Sequence, residues 1–198
     1  MGSVVAIPSP VDLLEFITSL LGVVNVALLV RRSIWNYPVG MLMVALFAWA
    51  VFEARLYSDA ALNIFFFVVQ GYGWWAWWRL GGMEHKVAVE RLTGPARIAW
   101  LVMILLCSFA WGAIMRFYTD AAFPWLDALL AMSSVAAQIL LVRRRIENWP
   151  LWILVDVGYV AIYVVKHLYG FAALYLLLLL LSILGLREWA RAEREAVA

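Results

Sequence analysis

Polar and aromatic side chains set at helical spacing inside apolar runs are the residues of this chain that could do chemistry. Trp152, Asp156, Tyr159, Tyr163 and Lys166 follow in steps of four, three, four and three, which puts them on one stripe of a helix. Asn63, Gln70, Trp74 and Trp77 make a second stripe, completed by Phe67. Asp127, Ser134 and Gln138 share a third face, and Glu15, Thr18, Gly22 and Asn25 a fourth. Polar groups are expensive in lipid, so they face a bundle interior or a wet cavity. Several such stripes in one small bundle point to a lined cavity. The chemistry on offer is recognition: no nucleophile–base pair and no metal constellation stands out, so no enzyme activity and no cofactor are expected.

Each stripe has a plainer reading beside it. Asn36 and Asn148 open the tripeptides Asn36-Tyr37-Pro38 and Asn148-Trp149-Pro150, and each is either a helix N-cap or a ligand contact. Trp75 and Trp78 read as an interfacial belt, whereas Trp74 and Trp77 continue the polar stripe and read as inward. Asn63 and Thr18 either bond helix to helix or line the cavity. Gln70 and Gln138 lie near mid-span and are candidate ligand contacts. Asp156 is either a helix-pairing acid or part of the site. Lys166 lies roughly 15 Å further along the same helix, too far to pair with Asp156, and is expected to snorkel outward.

The elements that must hold these residues follow from composition. Of 198 residues, 67% are hydrophobic and 14% charged, against about 45–50% and about 25% in a soluble domain. Apolar runs of about 20 residues, continuous rather than alternating, predict membrane-spanning helices and not barrel strands. Seven spans are expected, near 11–30, 38–55, 60–78, 97–116, 124–142, 150–166 and 170–188. The first carries a start signal in Ser9, Pro10 and Asp12. Cys107 is the single cysteine, which excludes an internal disulfide or thiolate metal site. His85 and His167 fall in or beside loops. The net charge of +2 gives no argument for a nucleic-acid partner, and none is expected. No nucleotide-binding loop is present, so this chain alone cannot drive primary active transport. A proton-coupled cycle stays open through Glu15, Asp127 and Asp156.

With seven spans, Arg55, Arg116 and Lys166 fall on one side and the other twelve Lys and Arg on the opposite side. That split predicts a cytoplasmic C-terminus and an outside N-terminus. The chain also repeats itself. At an offset of 112, 17 of the 52 positions from Leu28 to Arg79 are identical, among them Asn36/Asn148, Pro38/Pro150, Gly73/Gly185 and Trp77/Trp189. The expected architecture is an all-α membrane protein of 3+1+3 parallel repeats in one transmembrane domain, 1–198. Repeat one covers about 11–79, a linker helix about 97–116 and repeat two about 124–191. Parallel repeats are a transporter design whose site lies at their interface.

The order of several segments is recognisable. Leu56-Tyr57-Ser58-Asp59 precedes Gly73-Trp74-Trp75-Ala76-Trp77, and Gln138 precedes Arg143-Arg144-Arg145-Ile146-Glu147-Asn148-Trp149. Trp152-Ile153-Leu154-Val155-Asp156-Val157, Lys166-His167-Leu168-Tyr169 and Ala173-Leu174-Tyr175 follow. From Glu15 to Trp189 the chain resembles the PnuC family of nicotinamide riboside transporters. His167 departs from the pattern, where a glycine is expected. The resemblance implies a fold like that of the SWEET sugar carriers, a homotrimer in the bacterial inner membrane, and facilitated diffusion of the riboside. A separate cytosolic kinase then traps it. Sibling members carry thiamine or riboflavin. For such a substrate, Trp74, Trp77, Trp152 and Tyr159 could supply faces to a cationic ring. Gln70, Gln138, Asn148 and Asn36 could bond its carboxamide and hydroxyls, with Asn63, Asp156 and Tyr163 beside them. A SWEET-type sugar carrier and a non-transporting scaffold with a dry interior are the rival readings.

Overall fold

The structure, a computed structural model, describes residues 10–53, 57–81, 88–119 and 123–197. Among them seven helices follow in order: α1 (Pro10–Val30), α2 (Asn36–Glu53), α3 (Tyr57–Arg79), α4 (Gly94–Tyr118), α5 (Pro124–Val142), α6 (Asn148–Val165) and α7 (Tyr169–Val197). Each expected span falls on one helix. Helices α4 to α7 are long and apolar enough to cross a membrane, and α1 and α2 hold the apolar stretches Phe16–Val30 and Asn36–Ala50. Helix α3, although its polar residues lower its hydropathy, rises about 35 Å over its 23 residues. Extended backbone pairing among the described residues is limited to a single bridge, Glu90 with Arg145.

Three helix ends differ from expectation. Helix α7 continues past 188 to Val197, because its tail is built of Arg, Glu and Ala and carries an Arg191–Glu195 ion pair one turn apart at 2.9 Å. Asn36 and Asn148 are the first residues of α2 and α6 and are not N-caps. Their Nδ2 atoms instead donate back to the Ser33 and Arg145 carbonyls, both at 2.6 Å. Ser9, Arg55, Leu56, His85 and Lys86 lie outside the described residues, as do the side chains of Pro10, Asp12, Glu15 and Tyr57 to Asp59.

The sequence repeat is present in the geometry. Helices α2 and α6 start and end 112 residues apart, and α3 and α7 start 112 apart. Helices α1 and α5 end alike. Arg32 and Arg144 take left-handed backbones, with φ of 56° and 58°. In each case two amides turn back onto the helix just finished: Arg32 to Leu29 and Ser33 to Leu28, Arg144 to Leu141 and Arg145 to Leu140. This is a Schellman ending built twice. Helices α1, α2 and α3 pack in sequence, as do α5, α6 and α7, while α1 against α7 and α3 against α5 join the two halves. Helix α4 packs on α5.

An aromatic core sits at one end of that join. Tyr37, Trp77, Trp149 and Trp189 are almost wholly buried there. Tyr37 meets Trp77 edge-on with centroids 5.2 Å apart, and the equivalent pair Trp149 and Trp189 does so at 5.6 Å. Gly73 and Gly185 let the Tyr37 and Trp149 rings rest on the backbones of α3 and α7, where any Cβ would collide. The indoles then cross between halves. Trp77 Nε1 donates to the Val142 carbonyl and Trp189 Nε1 to the Leu29 carbonyl, both at 3.2 Å. Both carbonyls lie in a helix's last turn: Val142 has no following amide to receive, while Leu29 already takes the Arg32 amide and accepts the indole as a second donor.

On the same side, residues 88–93 run as a strap over the α5–α6 turn. Glu90 N–H donates to the Arg144 carbonyl and Ile146 N–H to the Glu90 carbonyl, both at 3.0 Å. Glu90 also pairs with Arg144 at 2.7 Å and Arg145 at 2.9 Å. Arg97 meets Glu147 at 2.8 Å, and Arg91 meets Glu193 of the α7 extension at 2.6 Å.

Candidate functional site

The candidate residues fall into three groups. The first lies within the first half. The Gln70 side chain of α3 and the Asn25 side chain of α1 converge over Gly40 of α2, whose missing Cβ leaves the space they occupy. Asn25 Nδ2 donates to the Asn36 carbonyl at the start of α2. Gln70 is buried, at 6% exposure, and Asn36 at 2%. A carboxamide has two donors and two acceptor lone pairs, so a buried pair of amides is the natural partner for a ligand carrying its own amide and hydroxyls. Asn63 lies two turns before Gln70 on α3 and is half-buried.

The second group is in the second half. Asp156 of α6 is 4% exposed and accepts a 2.8 Å bond from the Ser182 hydroxyl of α7. One and two turns further along α6 come Tyr159 and Tyr163, both half-buried. They pack with Tyr175 of α7, at centroid distances of 4.9 Å from Tyr159 and 5.4 Å from Tyr163, and Phe171 extends the column at 5.3 Å from Tyr163. Trp152 opens the same face of α6 and packs against the tryptophan core. Gln138 is buried on α5, at 8% exposure.

The third group is the aromatic core. Trp77 is buried completely and its N–H is taken up by Val142. Asn148 is buried completely, and its Nδ2 closes the turn before α6. The second stripe therefore divides. The buried face of α3 runs through Gln70, Gly73 and Trp77, while Trp74 is 40% and Phe67 39% exposed, at the margin of that face. The sixth-span stripe holds together from Trp152 to Tyr163, and Lys166 is exposed at its end.

Reading the sequence alone left three contributors out of the candidate set: Tyr175, Ser182 and Gly40. Their signal was in the repeat. At the 112 offset Tyr175 takes the place of Asn63, Ser182 that of Gln70, and Trp152 that of Gly40. Where the first half sets two amides over a glycine, the second sets a tryptophan beside a serine. The two halves thus present different surfaces from one backbone plan, one rich in amides and one in aromatic rings with an acid.

Among the described residues no three His, Cys, Asp or Glu side chains gather as a metal site would require. An open apolar groove of about 660 Å³ runs along α4 between Pro95 and Cys107, and none of the candidate residues lines it.

Comparison with known proteins adds four findings. A family model described as nicotinamide mononucleotide transporter matches residues 12–191. The nicotinamide riboside transporter PnuC of Escherichia coli (strain K12) is 28% identical over 207 residues, spanning 92% of this chain and 87% of the relative. The riboflavin/roseoflavin transporter RibM of Streptomyces davaonensis is 27% identical over 187 residues, with the same two shares. A crystal structure of the vitamin B3 transporter PnuC superposes with a TM-score of 0.78 at 23% identity, covering 94% of this chain and 84% of that one. The last likeness establishes a common fold.

Proposed function

The chain belongs to the nicotinamide mononucleotide transporter family, and from that premise we propose that it carries nicotinamide riboside across the bacterial inner membrane by facilitated diffusion. A separate kinase would trap the riboside inside. The observation that carries the choice of riboside over nucleotide is the make-up of the interior. The buried polar side chains among the described residues are amides, hydroxyls and one carboxyl, with no Lys, Arg or His. A phosphate would lose its hydration there with no positive partner, at a cost of several kcal/mol. A riboside brings a carboxamide, hydroxyls and a cationic ring, each of which has a counterpart.

The proposed site takes Gln70, Asn63 and Trp74 from α3, Gln138 from α5, and Trp152, Asp156, Tyr159 and Tyr163 from α6. Trp77, Asn36 and Asn148 back it, since their side-chain N–H groups already bond main-chain carbonyls. The whole chain acts as one transmembrane unit with α4 as linker, in a homotrimer of SWEET-like repeats. The N-terminus lies outside and the C-terminus in the cytoplasm. The twelve-to-three division of basic residues supports that orientation.

Uptake of labelled riboside into proteoliposomes, with and without a proton gradient, tests the proposal. Uptake that stops at equal concentration and ignores the gradient is expected. Absence of uptake would overturn it. Riboflavin is the second reading, favoured by the likeness to RibM at nearly equal identity. Competition by riboflavin but not by riboside would establish it.

A further inference from the structure

Asp156 carries the one carboxyl group buried among the described residues. It stands inside a span, where an ionisable group is costly and calls for a partner. Its visible partner is a hydroxyl, Ser182, which can donate a hydrogen bond but cannot neutralise a charge. No Lys, Arg or His is buried with it among the described residues, and Arg187, the nearest basic residue to Ser182 along α7, is more than a turn further on. A buried carboxyl whose described partner is a hydroxyl is costly to keep for packing alone.

The neighbours of Asp156 are informative. Tyr159 lies one turn along the same face of α6, and Tyr175 of α7 packs against it at 4.9 Å. Tyr163 and Phe171 continue the column away from the acid. Asp156 is buried while Tyr159 and Tyr163 are only half-buried, so the column leads outward from the acid. A carboxylate at the end of a set of aromatic faces is the arrangement that recognises a flat organic cation: the rings attract it through their quadrupoles and the acid supplies the counter-charge. The equivalent positions of the first half lack the acid and keep a ring in place of only one of the three tyrosines. At the 112 offset, Asp156 becomes Val44, Tyr159 becomes Phe47 and Tyr163 becomes Val51.

We propose that Asp156, set beside Tyr159 and Tyr175, is the specificity-determining counter-charge by which the second half selects substrates with a permanently cationic aromatic ring. This rests on the riboside reading above and refines it, since it assigns the ring to α6 and α7 and leaves the amide-rich first half for carboxamide and hydroxyls. It also orders the sibling vitamins: a neutral isoalloxazine gains nothing from Asp156, a pyridinium does.

Binding to the purified full-length protein tests the assignment with two ligands of one shape. Nicotinamide riboside has a cationic ring, and its 1,4-dihydro form has the same carboxamide and ribose on a neutral ring. Wild type is expected to favour the cationic form by about tenfold or more, a difference well within what a nearby opposite charge supplies. Asp156→Asn should weaken the cationic form and leave the dihydro form within about twofold, so that the preference collapses. Ser182→Ala keeps the carboxylate and should keep the preference. Equal affinity of wild type for the two forms overturns the proposal without any variant, which covers the case in which Asp156→Asn does not fold. An unchanged ratio in folded Asp156→Asn overturns it as well. If wild type binds neither riboside, the riboside reading fails and the proposal with it, whereas binding without charge preference removes the proposal alone.

Discussion

His167 ends α6 with a φ of 58°, the conformation that Arg32 and Arg144 adopt after α1 and α5. A side chain in that region costs roughly 1–2 kcal/mol, and glycine escapes the penalty. A glycine was the expectation at this position, and the backbone supplies the reason. His167→Gly is therefore expected to raise stability by about 1 kcal/mol, read as a higher melting temperature in detergent. The gain is partly offset by the lost contact between His167 Nδ1 and the Tyr169 hydroxyl at 3.0 Å. At the proposed site, Gln70→Leu should weaken riboside binding about tenfold while the protein still purifies as a folded species. Unchanged affinity would take α3 out of the site. The inward place of Gln70 was legible from spacing alone. Spacing gave Trp74 the same inward reading, yet it is 40% exposed, because the buried face of α3 is centred on Gly73, a residue with no polarity to announce it. Tyr175 was hidden for a different reason. It stands in a run of leucines, where hydropathy has no contrast, and only its correspondence with Asn63 sets it apart.

Helix positions could be read closely because apolar runs, prolines and charge clusters mark them, and α5 falls where it was expected, at 124–142. How the helices meet depends on contacts far apart in sequence, which periodicity does not encode. The glycine contacts are the clearest case. Gly73→Ala and Gly185→Ala would each drive a methyl group into an aromatic ring with no room to move. Each should cost about 1–3 kcal/mol, and the melting temperature should fall in both. The strap over the α5–α6 turn is another contact the sequence could not show, since Glu90 and Arg144 are 54 residues apart and neither lies in a helix. Its ion pairs are partly exposed and individually weak. The main-chain bonds between Glu90 and the turn residues 144–146 carry the attachment. Glu90→Gln should accordingly lower stability by less than about 1 kcal/mol and make it less sensitive to salt. A larger loss would show that the charges, and not the backbone, hold the strap.

At the scale of the whole molecule, the repeat was legible from identities at a fixed offset, and so was the odd fourth helix that it requires. What joins the halves was not. Trp77 had the spacing of a site residue and Trp189 was marked only as its match at the 112 offset, yet the two perform one task at equivalent positions. Each indole bond is worth about 1 kcal/mol, more where a carbonyl would otherwise be stranded in lipid. Trp77→Phe and Trp189→Phe should each destabilise, and the double variant by more than either, in a thermal melt of the purified protein. The same exchange of bonds bears on any attempt to divide the chain. Trp77 bonds a helix of the second half and Trp189 a helix of the first, so a fragment ending after α3 loses the indole that its α1 receives and offers an indole with nothing to receive it. Expressed singly, the fragments before and after a cut between α3 and α4 should be degraded. Produced together in one cell, they should find each other and survive as a pair.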